Sequence, residues 1–339
     1  MKAFEFTSPA TVEEAVKQLA PSDDPNVDPD LYPRPLAGGQ DLLTTMKEYI
    51  TQPPRVVNLK QIPNLDKIES DGKGGFKIGA LVTLATLEEH PEVAKNFPGL
   101  AEAAHAVATP QIRNLGTIGG NLCQRPRCWY YRLEHVVCLK KGGSECYAKS
   151  GENKYNAILG GGPSYIVHPS DLAPMLVALD ASVTVMGPQG SGEIPLGKFF
   201  TLPRENVRRE NVLANDQIIT HVNVPASAFG AKSTYLKFRE RESLDFAMAA
   251  CAAAVELDGQ NVKQARIVLG GVAPIPWRVP KAEAMMVGKP FSPELAAEVA
   301  KSALDGAKPL DKNEYKIPLT QTLVRRALAK VCGAEQAQV

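Results

Sequence analysis

Hydrophobic and polar positions along the first part of the chain change from a strand-like to a helix-like spacing. Apolar residues alternate with polar ones in 1–7, which predicts a short strand. Thr11 is followed three residues later by Glu14, a capping-box pattern, and apolar positions at helical spacing continue to Leu19. The segment 21–33 is polar and broken by prolines. This part of the chain therefore predicts short, mixed α and β elements.

The same patterns predict further strands and helices up to residue 225. Strands are predicted at 54–59, 75–81, 165–168, 181–186 and 218–224, and helices at 98–107 and from Leu172 onward. A second capping box predicts a helix start at Thr86, and Ser170 or Asp171 is expected to cap the helix at Leu172. The Gly-Pro-Gln-Gly turn after residue 186 predicts a hairpin.

The pattern changes from about residue 229 onward. Strands are predicted at 234–239 and 265–271, with a buried run at 246–255 between them, and helices at 292–305 and 320–331. This order predicts a three-stranded sheet with helices against one face. We therefore expect two domains, residues 1–225 and residues 229–335, and an α+β fold.

Composition and charge argue against two classes of function. The chain has 339 residues, of which 44% are hydrophobic, enough for the cores of more than one domain. Its formal net charge is +1, whereas nucleic-acid binding needs a basic face. No apolar run reaches the length of a membrane span. We expect a protein that does not bind nucleic acid and does not span a membrane.

Two pairs of glycines, Gly38-Gly39 and Gly119-Gly120, lie close to predicted strands. A glycine pair between a strand and a helix lets the backbone approach an anion such as a phosphate, whose charge the backbone amides stabilise. A plain tight turn is the alternative for either pair alone. Two pairs in one domain favour a diphosphate site, although neither matches the Rossmann or P-loop pattern.

Four of the six cysteines, Cys123, Cys128, Cys138 and Cys146, lie in a polar segment without a clear apolar period. Such a segment needs disulfides or a metal to order it. The first residues show no secretory signal, which favours a reducing compartment and therefore a metal. Zinc typically uses paired CxxC knuckles, which are absent, and uneven spacing fits an iron–sulfur cluster better. Zinc and redox-active or inert thiols stay open as alternatives.

Five segments carry a resemblance to a known family. They are AGGQDLL at 37–43, QIRNLGTIGGN at 111–121, HPSDLAPML at 168–176, KFRERESLDFA at 237–247 and GGVAPIPWR at 270–278. In this order they resemble the FAD-binding medium subunits of the xanthine dehydrogenase and carbon monoxide dehydrogenase family of molybdenum hydroxylases. The resemblance implies a two-lobed FAD-binding domain of the PCMH or vanillyl-alcohol-oxidase type, followed by a small α+β domain like the CO dehydrogenase flavoprotein C-terminal domain.

The resemblance also implies which residues bind FAD. Two loops are expected on its diphosphate, formed by Arg34, Pro35, Leu36, Ala37, Gly38, Gly39, Gln40, Asp41 and Leu42, and by Thr117, Ile118, Gly119, Gly120 and Asn121. Asp171 resembles an acid on the adenosine side or on the loop that holds it. Lys237 resembles a lysine near the flavin ring, and Ile219 an apolar flavin contact. No residue of this chain is expected to carry out substrate chemistry.

The cysteine segment, residues 122–165 and called the insertion below, narrows the resemblance. It is similar to a subgroup that includes periplasmic aldehyde oxidoreductases, and to the medium subunit of 4-hydroxybenzoyl-CoA reductase; in both, the insertion holds a [4Fe-4S] cluster. Cys128, Cys138 and Cys146 match three of its ligands. In the aldehyde oxidoreductase type a cysteine stands where this chain has Ser164, so Cys123, Ser164, water or a degenerate cluster are the alternatives. We expect Cys123 to be the fourth ligand, because four thiolates are usual.

The implied function is electron transfer within a molybdenum hydroxylase heterotrimer that oxidises an aldehyde or an aromatic heterocycle. A large subunit with the molybdenum cofactor would oxidise the substrate. A small subunit with [2Fe-2S] clusters would pass electrons to FAD, and an external acceptor would receive them. The implied compartment is the cytoplasm, or the periplasm if the chain is exported on a partner's signal. The alternative is a scaffold or assembly subunit that has lost the flavin or the cluster.

Overall fold

The computed structural model describes residues 1–24, 27–226 and 232–334. The predicted boundary between the two domains, at 225–229, lies partly outside the described residues. Within these ranges the strands form a three-stranded, a five-stranded and a four-stranded sheet. No helix in the same ranges combines the length and the apolar composition needed to cross a membrane.

The first lobe is built on a small parallel sheet in the order β1-β3-β2. Its elements are β1 (Glu5–Thr7), α1 (Val12–Gln18), β2 (Arg34–Leu36), α2 (Leu42–Lys47) and β3 (Arg55–Asn58). The Thr11 hydroxyl accepts the Glu14 amide at 3.2 Å and caps α1, as the capping box predicts. Because each parallel connection crosses over through a helix, the turn from β2 into α2 lies at one end of this sheet. That turn is the first glycine pair.

The second lobe is built on an antiparallel sheet in the order β4-β5-β8-β6-β7. Its strands are β4 (Ile68–Ser70), β5 (Phe76–Gly79), β6 (Ser182–Gly187), β7 (Gly190–Pro195) and β8 (Ile218–Val224). Helices pack near it: α3 (Leu84–Glu89), α4 (Pro91–Asn96), α5 (Pro98–His105), α6 (Pro110–Arg113), α7 (Ile118–Leu122) and α9 (Leu172–Ala178). The β6–β7 hairpin forms where the alternation and the Gly-Pro-Gln-Gly turn predict it. The insertion carries little regular structure beyond α8 (Trp129–Arg132) and short 3₁₀ turns.

The C-terminal domain has four strands, not the predicted three, in the order β12-β11-β10-β9. Its elements are β9 (Ser233–Phe238), β10 (Ala249–Asp258), β11 (Asn261–Gly270), β12 (Trp277–Arg278), α10 (Pro280–Ala284), α11 (Pro293–Ala303) and α12 (Lys316–Val331). The additional strand, β12, is only two residues long, so it leaves no periodic pattern.

The prediction of helices against one face of this sheet is also incomplete. Ala250, Ala252 and Ala254 of β10 face the core of the FAD-binding domain, near α5 and α9. The alternate residues, such as Cys251 and Ala253, face α11 and α12. A strand buried on both faces reads as an unbroken apolar run, which explains the run predicted at 246–255. The small side chains let helices approach both faces closely.

Two local predictions are wrong, each because another contact takes over. The helix at Thr86 begins earlier: Thr83 is its cap, and its hydroxyl accepts the Thr86 amide at 3.1 Å. Residues 165–168 form no strand, because Pro163 and Pro169 bracket them and their backbone makes isolated hydrogen bonds rather than a ladder. The cap of α9 is one of the two predicted residues: the Ser170 hydroxyl accepts the Ala173 amide at 3.0 Å, which leaves the Asp171 carboxylate for other partners.

Candidate functional site

The first glycine loop presents backbone amides that the protein itself does not use. Gly39 has φ of +74°, a left-handed conformation that glycine adopts at low cost. The amides of Gly39, Gln40 and Asp41 have no acceptor within the described residues. Successive amides around a left-handed residue form a concave site that suits an anion. The free amides of the first glycine loop are donors that fit the diphosphate of a dinucleotide.

The two glycine loops lie side by side. A Cβ built on Gly38 would stand 2.1 Å from the carbonyl oxygen of Leu115, so only glycine lets the first loop approach the segment that leads into the second. The second loop is organised differently. Its amides at Ile118 and Gly119 are already bonded, to the carbonyl groups of Val82 and Ala80, at 3.0 Å each. The second loop is therefore a rigid neighbour of the first rather than a second set of free amides.

Gly120 is the exposed residue of the second loop. A Cβ there would meet only the Thr117 hydroxyl, at 3.0 Å, which itself accepts the Gly120 amide at 3.2 Å. A larger side chain at Gly120 would extend over the surface of the loop. Ile219, the predicted apolar contact, is a buried residue of β8 in the core of the second lobe. The carbonyl of its neighbour Thr220 accepts the amide of Ala80 at 2.8 Å, so this strand supports the second loop from behind.

Asp41 and Arg34, both assigned to the first loop, are occupied by protein partners. One Asp41 oxygen accepts the Arg125 amide at 2.7 Å, and the other lies 2.7 Å from Arg132 and 3.1 Å from Arg127. Burial raises the pKa of this carboxyl, but the two guanidinium groups outweigh it, so the pKa is lowered. The Arg34 guanidinium donates to Asn215 at 3.0 Å and to the carbonyl of Pro29 at 2.7 Å. Asp41 therefore ties the first glycine loop to the insertion.

Asp171 and Lys237 form a buried ion pair. The Lys237 ammonium lies 2.8 Å from one Asp171 oxygen and donates to the Ala106 carbonyl at 2.9 Å, and the Tyr235 hydroxyl donates to the other Asp171 oxygen at 2.7 Å. Burial, followed by the charge of Asp171, raises the pKa of Tyr235 well above its usual range. Tyr235 was missed by the sequence analysis. The sequence could have indicated it, because Tyr235 precedes Lys237 by two residues and a strand places residues two apart on the same face.

A cavity of about 280 Å³ lies between the insertion, the segment around Asp171 and the loop that precedes β10. Its walls include Trp129, Asp171, Tyr235 and Phe246. The cavity thus joins a polar end at Asp171 to aromatic walls, a combination that is usual for small-molecule sites. Lys237 does not line it but holds the Asp171 carboxylate in place.

A second, much smaller cavity brings together three of the four predicted cysteine ligands. Cys128, Cys138, Cys146 and Ser164 all line it. The Cys128 sulfur accepts the side-chain amide of Asn156 at 3.9 Å, and the nearby backbone amides of Tyr130 and Tyr131 act to lower the pKa of its thiol. Burial is the main reason that the pKa of the Cys128 thiol is raised. Amide donors around sulfur are a feature of iron–sulfur sites, so this donor set fits a cluster.

Cys123 lies apart from this cavity. It follows α7 and packs against the large core of the second lobe, where burial raises the pKa of its thiol to about 12. Within the described residues no three His, Cys, Asp or Glu side chains are grouped as ligands of a single metal ion. A four-iron cube takes each ligand at a separate corner, so its thiolates stand farther apart than those of one ion.

Buried charges lie beneath the second cavity. The Lys140 ammonium, which lines it, lies 2.6 Å from one Glu210 oxygen, and the Arg125 guanidinium lies 2.7 Å from the other. Lys140 and Glu210 are almost fully buried. Burial lowers the pKa of Lys140 more than Glu210 raises it. Because Arg125 also donates its amide to Asp41, this network joins the floor of the cysteine site to the first glycine loop.

Comparison with known proteins places this geometry in a family. Residues 2–227 match the FAD binding domain in molybdopterin dehydrogenase, and residues 233–331 match the CO dehydrogenase flavoprotein C-terminal domain. The aldehyde oxidoreductase FAD-binding subunit PaoB of Escherichia coli is 35% identical over 89% of this chain and 91% of its own length. The carbon monoxide dehydrogenase medium chain of Hydrogenophaga pseudoflava is 29% identical over 96% of both chains.

Solved structures agree with these sequence matches. The carbon monoxide dehydrogenase of Hydrogenophaga pseudoflava that lacks the Mo-pyranopterin moiety has a chain with a TM-score of 0.75 and 28% identity, over 98% of both chains. Quinoline 2-oxidoreductase from Pseudomonas putida, at 24% identity and a TM-score of 0.73, shares the fold. The predicted α+β fold, its two domain types and the assignment to an oxidoreductase are therefore confirmed. The chain belongs to the FAD-binding medium subunits of the xanthine dehydrogenase and carbon monoxide dehydrogenase family.

Proposed function

We propose that this chain is the electron-transfer subunit of a molybdenum hydroxylase complex that oxidises an aldehyde or an aromatic heterocycle. It would carry FAD on the first glycine loop and in the 280 Å³ cavity, and a [4Fe-4S] cluster in the insertion. The observation that carries the proposal is the run of unpaired amides at Gly39, Gln40 and Asp41, because successive free amides around a left-handed residue suit an anion such as a diphosphate.

The protein's own groups have distinct roles in this proposal. The amides of the first loop bind the diphosphate, and the second loop holds the first in place through Gly38 and Leu115. The Lys237–Asp171 pair fixes the polar end of the larger cavity, where the flavin ring would lie against Trp129 or Phe246. Bound FAD accepts electrons one or two at a time, and a [4Fe-4S] cluster one at a time, so together they connect single-electron donors to an external acceptor.

The position of Cys128 supports electron transfer between the two sites. Cys128 lines both the larger cavity and the cysteine cavity, so its side chain forms part of the wall between them. A cluster ligated there would stand next to a flavin in the larger cavity. The Asp41 contacts to Arg127 and Arg132 would hold the two sites in a fixed arrangement.

The proposed partners are a large molybdenum-cofactor subunit and a small [2Fe-2S] subunit. The insertion exposes large apolar side chains, with Trp129 55%, Leu133 45% and Val137 57% exposed. Exposed apolar residues grouped on one segment are typical of protein interfaces. The proposed domain limits, 1–225 and 229–335, and the choice between cytoplasm and periplasm rest on the family resemblance.

An absorption spectrum of the full chain, purified without oxygen, tests the proposal. Flavin bands with a broad iron–sulfur shoulder are expected, and acid should release FAD, because no His or Cys lies in either glycine loop to bond it covalently. A chain without flavin would instead favour the scaffold alternative.

A glycine variant tests whether the diphosphate on the first loop also lies against the surface of the neighbouring second loop. Gly120→Val would cover the surface of the second loop and should lower the FAD content. Gly197→Val is the matched control, because Gly197 is exposed and a Cβ added there would meet no atom within 4 Å. Equal FAD content in both folded variants would contradict the proposed position of the diphosphate.

A further inference from the structure

Ser164 is the fourth side chain of the cysteine cavity and differs from the other three in its donor atom. It lies on the segment that leads from the insertion to His168, and it lines the cavity with Cys128, Cys138 and Cys146. Ser164 is buried, with 2% of its surface exposed to solvent. Within the described residues its hydroxyl has no hydrogen-bond partner. The hydroxyl oxygen of this cavity-lining residue is therefore free to bind a ligand in the cavity.

Three other candidate donors, Cys123, Tyr130 and Lys140, are engaged elsewhere. Cys123 does not line the cavity and packs in the core of the second lobe. The Tyr130 hydroxyl accepts the Glu152 amide at 2.6 Å, and the Lys140 ammonium is held by Glu210 and by the Val207 carbonyl at 2.7 Å. The ring of Tyr131, a further lining residue, is covered by the guanidinium of Arg125 at 5.1 Å.

We propose that the Oγ atom of Ser164 is the fourth ligand of the [4Fe-4S] cluster that Cys128, Cys138 and Cys146 hold. This inference rests on the proposed function, since it requires the cluster to be present. An Fe–Oγ bond forms as the hydroxyl proton leaves to solvent, and no electron is transferred in that step. The result is a site with three thiolates and one alkoxide.

An oxygen ligand changes the properties of the cluster in a definite direction. Oxygen is a harder donor than sulfur, so an alkoxide stabilises the more oxidised iron at that corner relative to a thiolate. The reduction potential should therefore rise when Ser164 is replaced by cysteine. One iron should also differ from the other three in its Mössbauer spectrum, because its ligand differs.

Three variants of the full chain, purified without oxygen, test the inference. Ser164→Cys should keep four irons, raise the reduction potential and remove the distinct iron signal. Ser164→Ala should lose the iron at that corner more readily, which gives a three-iron paramagnetic signal after mild oxidation. Cys123→Ser is the matched control and should keep the iron content, the potential and the spectrum of the unchanged chain.

The outcomes separate this inference from the proposed function. A full complement of iron, with potential and Mössbauer spectrum unaffected by both Ser164 variants, overturns the serine ligand and leaves the proposed function standing. Loss of iron in Cys123→Ser alone also overturns the serine ligand and leaves the proposed function standing. It would show that Cys123 is the fourth ligand. An unchanged chain that contains FAD but no iron overturns the cluster, and the serine ligand with it. If Ser164→Ala does not fold, Ser164→Cys decides the question by its potential.

Discussion

Replacing Asp41 by alanine should destabilise the first glycine loop and the insertion together. The Asp41 carboxylate lies 2.7 Å from the Arg132 guanidinium and 3.1 Å from that of Arg127, and it accepts the backbone amide of Arg125 at 2.7 Å. These three contacts come from one segment of the insertion and end on one residue of the glycine loop. Among the contacts of the described residues, no other side chain of the glycine loop forms as many hydrogen bonds and ion pairs with the insertion.

The expected magnitude follows from burial. Removing one partner of a fully buried ion pair costs about 3–5 kcal/mol, because the remaining charge has no compensation. The side chains of Arg127 and Arg132 keep 26% and 12% of their surface exposed, so water shields part of that charge. We therefore expect a loss of roughly 2–3 kcal/mol for Asp41→Ala. Asp41→Asn keeps an acceptor for the Arg125 amide and should lose roughly 1–2 kcal/mol.

The effect should also depend on pH. The pKa of Asp41 is lowered in the folded chain, because the two guanidinium groups outweigh burial. A lowered carboxyl pKa stabilises the fold above its unfolded value of about 4, and that stabilisation is lost as the pH falls through the lowered folded value. The difference between the unchanged chain and Asp41→Ala should therefore be constant at neutral pH and shrink in acid.

Urea unfolding, followed by flavin fluorescence and by proteolysis of the insertion, measures this effect. Both signals should shift to lower urea in Asp41→Ala, because both segments lose the same contacts. Asp305→Ala, which removes an exposed ion pair with Lys281, is the control and should leave both signals unchanged. A shift of only one signal, or a difference that persists unchanged at low pH, would refute this account of Asp41.

Three further predictions concern buried charges. Lys237→Met should cost about 3–5 kcal/mol in urea unfolding, because it leaves the Asp171 carboxylate buried without its cation, and adding Asp171→Asn should restore part of that loss. Glu210→Gln should expose the insertion to limited proteolysis, because it leaves the buried Lys140 ammonium without its carboxylate. Burial lowers the pKa of His168 to about 4, so the fold should lose roughly 3 kcal/mol as the pH falls from 6.5 to 4, and His168→Gln should remove that part of the pH dependence.

Much of the fold could be predicted because its signals are local. The β6–β7 hairpin follows from alternation and a turn sequence, and α1 from a cap three residues before its glutamate. The predictions were wrong where contacts with residues elsewhere in the chain determine the local structure. Thr83, not Thr86, caps α3, and β12 exists only because β11 is beside it. The sequence could not predict which residues of β10 face which domain, because a run of alanines looks the same on both faces of the strand.

The site was predictable in its parts but not in its connections. The glycine pairs and cysteines are visible in the sequence, whereas the tie between Asp41 and the insertion joins residues that are 84 and 91 positions apart. The unequal use of amides in the two glycine loops likewise depends on Ala80 and Val82, which carry no sequence signal. The sequence analysis expected Cys123 rather than Ser164 at the cluster because it had only spacing to compare. The cavity adds which side chains face one another.

The charges around the insertion are unequal in a way that suits an anionic cluster. Ion pairs within 4.0 Å join six cationic side chains to four carboxylates: Arg34, Arg125, Arg127, Arg132, Lys140 and Arg208, with Asp28, Asp30, Asp41 and Glu210. Glu48 and Arg209 act on this network with opposite charges and leave the difference unchanged. The described part of the network therefore holds two more positive charges than negative ones. A thiolate-ligated cube is negatively charged, so a positive surplus in a network that includes Lys140, a lining residue of the cysteine cavity, stabilises the loaded site more than the empty one.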